Sequence, residues 1–170
     1  TDRAEWRLLF SELYGIENYS FACVANEQIQ GAASLYHIRS PFLGNMLLTC
    51  PFFGYGGFYA DDAEAQSGLL TAIEDCGREL KVDFIELRLD RKLPEPYQAN
   101  TAFSEFNLTL PKTSDELWNE CLSSNARNSI RRSRDNNLDF SVTTDYTKCF
   151  GLLSRALRDH GTPFHGEDFF

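Results

Sequence analysis

Phe21-Ala22-Cys23-Val24-Ala25-Asn26-Glu27-Gln28-Ile29-Gln30-Gly31-Ala32-Ala33-Ser34-Leu35 is the stretch that decides how the first part of this chain is built. Residues 19–25 and 29–39 are apolar and aromatic runs, and the polar triplet Asn26-Glu27-Gln28 separates them. Two such runs joined by a short polar turn predict a β-hairpin. Upstream, Trp6, Leu9, Phe10 and Leu13 fall at i, i+3, i+4 and i+7 and predict a helix over 3–14, stopped by Gly15. Downstream, Ser40 to Asn45 is a second turn, and 46–50 a third strand. Residues 51–59 carry Gly54, Gly56 and Gly57 among aromatics and read as a glycine-rich loop or bulged strand.

Asp61 and Asp62 can cap a helix whose apolar stripe is Leu69, Ile73, Cys76 and Leu80. A strand over 82–89 follows, so 46–89 predicts a strand–helix–strand crossover with parallel strands. After a proline-bearing loop over 91–100, residues 102–110 read as another strand. Thr113-Ser114-Asp115-Glu116 is a capping box for a helix through Leu122. An arginine-bearing helix, a strand over 138–142 and a helix over 145–159 complete the pattern, the last with Phe150, Leu153 and Leu157 inward and an end at His160-Gly161. The fold class is α/β (α+β), a mixed sheet flanked by helices. The expected division is a first domain over 1–110 and the start of a second over 111–170. The chain opens at Thr1 within a helical pattern and closes at Phe170 in what reads as the first turn of another helix, so a piece of a longer protein is expected.

The 170 residues suffice for one good core, and 42% hydrophobic and 14% aromatic content mark a folded chain. A net charge of -9 argues against binding nucleic acid or anionic membrane by overall charge, while leaving room for a local basic site. No apolar run is long enough to span a membrane, and there is no signal peptide pattern. Cys23, Cys50, Cys76, Cys121 and Cys149 are odd in number, widely spaced and free of C-x-x-C pairs, and read as buried thiols of a reducing compartment. His37, His160 and His165 are scattered, so no metal site is expected.

Arg127, Arg131, Arg132 and Arg134 put four of the chain's 16 basic residues into eight positions. At about 100° per residue, Arg127, Arg131 and Arg134 fall within roughly 60° of one another, and Arg132 points elsewhere. Only Ala126 and Ile130 are apolar between Ser123 and Asn137, and Asp135 is the one acid within the helix. Three guanidinium groups on one face suit a phosphate or diphosphate gripped bidentately. The alternative is a solvated face paired with acids elsewhere in an acidic chain. Tyr55-Gly56-Gly57 reads either as a tight turn under aromatic packing or as a place where a ligand nears the backbone. Asp90 falls at the C-terminal end of a parallel strand, where open α/β sheets hold ligands, or it is a solvated strand end paired with Arg91 or Lys92.

Gln28-Ile29-Gln30-Gly31-Ala32-Ala33 matches the Q-x-x-G-x-A pattern of the coenzyme A pyrophosphate loop of GNAT acetyltransferases. That loop opens a helix so that backbone N–H groups face the anion. Here the segment runs into a strand, and a turn glycine is the expected reading. The hairpin over 21–35 nevertheless resembles the early hairpin of GNAT-like folds. The continuation resembles the FemAB-like branch, including the FemAB-related proteins of bacterial exosortase systems. The matching segments are Trp6, Arg39 to Gly44, Pro51 to Asp61, Phe84 to Asp90, the Arg127/Arg131/Arg132 helix and His160 to Pro163, in order along nearly the whole chain.

The resemblance implies a transferase that moves an acyl or aminoacyl group to an amine acceptor, with two GNAT-like domains of which the second lies mainly beyond Phe170. It implies a phosphate-bearing cell-envelope (peptidoglycan) precursor as acceptor and aminoacyl-tRNA or acyl-CoA as donor, a cytoplasmic setting, and no cofactor held by these residues alone. It puts Asp90 in the acceptor groove as the catalytic carboxylate, with Tyr55, Gly56, Gly57, Arg127, Arg131, Arg134 and His165 on the substrate. Two positions depart from the family. His165 stands where relatives carry a phosphate-gripping arginine, and Arg7 is the only basic residue shortly after Trp6. The competing expectation is a non-catalytic GNAT-like module that grips an anionic ligand or a protein.

Overall fold

The computed structural model describes residues 4–52, 54–102, 106–136, 138 and 141–169. The protein is mixed α/β, with one mixed five-stranded sheet and five α-helices among the described residues. It divides into two compact units, residues 1–101 together with Phe169, and residues 102–168.

The first unit begins with α1 (Ala4–Tyr14), closed by Gly15 at φ 63°. The hairpin follows as β1 (Glu17–Ala25) and β2 (Gln28–Ser40). Its turn is two residues and not three, because Asn26 and Glu27 both take positive φ, 51° and 60°, and Gln28 already pairs with Ala25. Positive φ at both central residues matches the right-handed strand twist of a two-residue hairpin. β3 (Gly44–Leu48) returns along β2, and β4 (Phe58–Ala60) pairs with residues 31–33 of the same strand. α2 (Ala63–Leu80) is capped by Asp62, whose carboxylate accepts from the Ala65 N–H at 2.8 Å. It crosses over to β5 (Phe84–Glu86), parallel to β3. The crossover and its parallel pairing are as expected, but the strand covers three residues where 82–89 was expected. The order is β1-β2-β3-β5, with β4 beside β2.

Alternation sorts β2 between two cores. Ala33 and Leu35 face α2 with Leu47 and Phe58, against Leu69, Leu70 and Ile73. Leu35 and Leu47 are fully enclosed, and burial of each such side chain stabilises by about 1.5–3 kcal/mol. On the other face Tyr36 meets Phe10 edge-on at 5.3 Å between ring centroids, with Ile16 alongside. Gly31 is a packing glycine and not a turn glycine: a Cβ there would come within 2.9 Å of both Leu69 Cδ1 and the Tyr59 carbonyl oxygen. The Q-x-x-G-x-A segment is therefore strand, packed beneath a helix and beside β4.

Tyr97 ties the 91–100 loop to α2 by donating its hydroxyl to Glu74 Oε1 at 2.7 Å. That hydrogen bond, burial and the carboxylate charge push the phenol up to about 12. The folded value lies above the unfolded one near 10, so this contribution to stability is complete below pH 10 and disappears as pH rises toward 12. Melting temperature is expected to fall over that window more steeply in the wild type than in Tyr97→Phe; superimposable profiles would remove the pair as the cause.

The second unit holds α3 (Ser114–Glu116), which continues as a π-helical turn over Leu117–Cys121. It also holds α4 (Ser124–Asp135) and α5 (Tyr146–Asp159). Thr113, Ser123 and Asp145 cap the three helices through their side-chain oxygens. The strand expected over 102–110 is not found in the described part: Phe106 to Leu110 lie in no ladder, and residues 103–105 lie outside the described residues. Of the strand expected over 138–142, residues 139 and 140 are likewise outside, and Leu138, Ser141 and Val142 are unpaired in any sheet. Leu153 of α5 is exposed, whereas Phe150 and Leu157 are half-buried. The five cysteines are thiols and not disulfides; Cys50 is buried and Cys23 and Cys76 half-buried, but Cys121 and Cys149 are exposed, against the expectation of buried thiols. Among the described residues, no helix is long and apolar enough to cross a membrane.

Candidate functional site

Past the paired ends of β3 and β5 the chain makes an excursion before it returns as β4, and residues 49–52 and 54–57 of it are described. Several contacts fix that excursion. The Thr49 N–H donates to the Glu86 carbonyl at 3.1 Å, the Arg88 N–H donates to Thr49 Oγ1 at 2.9 Å, and the Gly56 N–H donates to the Arg88 carbonyl at 3.0 Å. The chain then returns to β2, where the Ser34 N–H donates to the Gly57 carbonyl at 2.7 Å. Thr49 and Gly56 thus lie beside 86–88, and Gly57 leads the chain back to β2 ahead of β4. The Arg88 guanidinium braces the departure: Nε donates to Glu86 Oε1 at 2.6 Å and Nη1 donates to the Cys50 carbonyl at 3.1 Å. Cys50 itself turns the chain with φ at 47°. Thr49 and Arg88 were missed in the sequence, because their role depends on a partner 39 residues away.

Tyr55 is exposed at this end of the sheet. Gly56 and Gly57 both have positive φ, 136° and 72°. A Cβ on Gly57 would meet the Ser34 carbonyl oxygen at 2.9 Å and Thr49 Cβ at 3.3 Å. Close approach of the protein's own backbone is sufficient reason for this glycine. Asp90 does not end a strand: β5 stops at Glu86, and Asp90 sits in a bend four residues on. Its carboxylate is 64% exposed and faces Arg91 Nη1 at 3.6 Å. Gly56 is thus tied to Arg88, and Asp90 follows two residues later in the chain, with its carboxylate toward Arg91.

The arginines gather in the second unit around Trp118. Arg127 turns back under the π-helical segment, where Nη1 donates to the carbonyls of Leu122 at 2.8 Å and Trp118 at 3.0 Å. It satisfies carbonyls that a helix end leaves without partners. Arg131 and Arg134 lie over the Trp118 ring, their guanidinium carbons 5.5 and 5.8 Å from its centroid. Arg131 also donates to Asn128 Oδ1 at 3.2 Å. The shared face is real, but it closes on a tryptophan and Arg127 has a structural task. His165 is half-buried with its ring 6.1 Å from Phe164, which stacks on Phe150.

A shallow depression of about 430 Å³ at the β2–β3 turn is lined by Arg39, Ser40, Pro41, Gly44 and Asn45. Asn45 is engaged in holding the fold: Nδ2 donates to the carbonyls of Leu80 and Lys81, and Oδ1 meets His37 Nε2 at 2.6 Å. Comparison with protein-family models, curated proteins and solved structures finds no match to this chain.

Proposed function

We propose that this chain is the acceptor-binding part of a GNAT-like acyltransferase of the FemAB-like kind, acting in the cytoplasm on an amine of a cell-envelope precursor. The observation that supports it is the β3/β5 pair, among the described residues the one parallel pairing in an otherwise antiparallel sheet, with Tyr55 exposed in the segment that follows β3. The C-terminal ends of parallel strands are where open α/β sheets hold their ligands. In the reaction the acceptor amine attacks the carbonyl of an activated acyl donor. The C–N bond forms, the C–O bond of an aminoacyl-tRNA ester or the C–S bond of an acyl-CoA breaks, and the amine proton passes through a carboxylate to the leaving group. Glu86 is taken up by the Arg88 guanidinium, so Asp90, two residues beyond Arg88 and largely exposed, is proposed for that role. Positioning of amine and ester together supplies most of the acceleration.

The second reading, a non-catalytic module that binds an anion or a protein, is favoured by the exposure of Asp90 and its pairing with Arg91. The two readings separate in an assay of the complete protein with labelled aminoacyl-tRNA and acyl-CoA against primary amines. Transfer is expected, with Asp90→Asn lowering turnover severalfold at an unchanged melting temperature, since the side chain is largely in water. Transfer from neither donor leaves the binding module as the reading; full turnover in Asp90→Asn removes Asp90 from the chemistry.

A further inference from the structure

We propose that Trp118, Arg131 and Arg134 form a binding platform for a ligand carrying a diphosphate group. The π-helical turn over Leu117–Cys121 presents Trp118, and Arg127 locks that turn to α4 through its carbonyl contacts. Stacking on an aromatic ring engages the face of a guanidinium and leaves its in-plane N–H groups directed outward. Arg131 and Arg134 share the one ring, their guanidinium carbons 5.5 and 5.8 Å from its centroid, and Arg131 gives one N–H to Asn128 Oδ1. Both are exposed, and among the described residues no carboxylate lies within ion-pair distance of Arg131, Arg132 or Arg134. That is unusual chemistry for a chain of net charge -9, in which acids outnumber bases 25 to 16. Surface arginines in such a chain have acids at hand, and these two take a tryptophan instead.

Two neighbouring forks match two phosphoryl groups, each accepting a bidentate pair. A long polyanion is disfavoured, because its many charges experience the field of the whole acidic chain, whereas a compact diphosphate responds mainly to the short-range contacts. The inference stands apart from the transferase reading: a chain that binds diphosphate but transfers no acyl group keeps this site and loses that function.

The test is calorimetric titration of the chain with inorganic pyrophosphate, ADP, a short prenyl diphosphate and a single-stranded RNA oligonucleotide. Pyrophosphate and at least one diphosphate ester are expected to bind, and the two esters tell nucleotide from lipid sources of the group. Arg131→Lys/Arg134→Lys keeps both charges and the helix but loses the forks, and should weaken pyrophosphate binding about tenfold or more. Trp118→Leu should also weaken it, and Arg132→Lys, on another face of α4, should not. If Trp118→Leu proves unfolded by circular dichroism, the double lysine variant decides alone. Absence of pyrophosphate binding, equal affinity in the double lysine variant, or binding of RNA alone would each overturn the proposal.

Discussion

Gly57→Val is expected to lower folding stability by about 3 kcal/mol, seen as a lower denaturant midpoint with an unchanged slope. Two effects add. A β-branched residue at φ 72° suffers steric conflict with its own backbone, on the order of 1–2 kcal/mol. Its Cβ must also displace the Ser34 carbonyl, 2.9 Å away, or the enclosed Thr49 side chain, and overpacking of this kind costs about 1–3 kcal/mol. Movement of Thr49 would in turn break the Arg88 N–H bond that holds the excursion in place. Gly54→Ala is the control. No heavy atom lies within 4 Å of a Cβ at Gly54, so its effect should stay within about 0.5 kcal/mol. A Gly57→Val protein of normal stability that has lost ligand binding would show that the glycine serves a ligand and not the fold.

Asn45→Ala is expected to destabilise by about 2–4 kcal/mol, a large effect for a partly exposed residue. Its amide joins three elements. Nδ2 donates to the Leu80 and Lys81 carbonyls at the end of α2, so Oδ1 must be the acceptor, and His37 must carry its proton on Nε2. His37 is 4% exposed, with Glu17 Oε2 3.6 Å from Nδ1. Truncation at Asn45 leaves that N–H enclosed without an acceptor and leaves α2 carbonyls to find water. Desolvation without a partner, more than the lost bonds themselves, sets the magnitude. His37→Leu alone should also destabilise. In the double variant the loss should fall well short of the sum, because each single change strands the partner of the other. Additive losses in chemical denaturation would mean that the two residues act separately.

Periodicity and turn chemistry were sufficient for the hairpin, for α1 and α2 with Phe10, Leu69 and Ile73 inward, and for the caps at Asp62 and Thr113. All of these rest on residues within a turn or two of one another, where the sequence itself carries the physics. The common face of Arg127, Arg131 and Arg134 was legible for the same reason. What that face meets was not: Trp118 and the carbonyls of the preceding turn come under it only because the chain reverses between Cys121 and Ser124. The extent of β5, the pairing of β4 with residues 31–33 and the purpose of Gly31 and Gly57 were equally hidden. Thr49 meets Arg88 across 39 residues, and Gly57 meets Ser34 across a strand and a turn. A residue's own propensity carries no information about a partner so distant, and whether a glycine admits a ligand or the protein's own backbone is decided only when the sheet has closed around it.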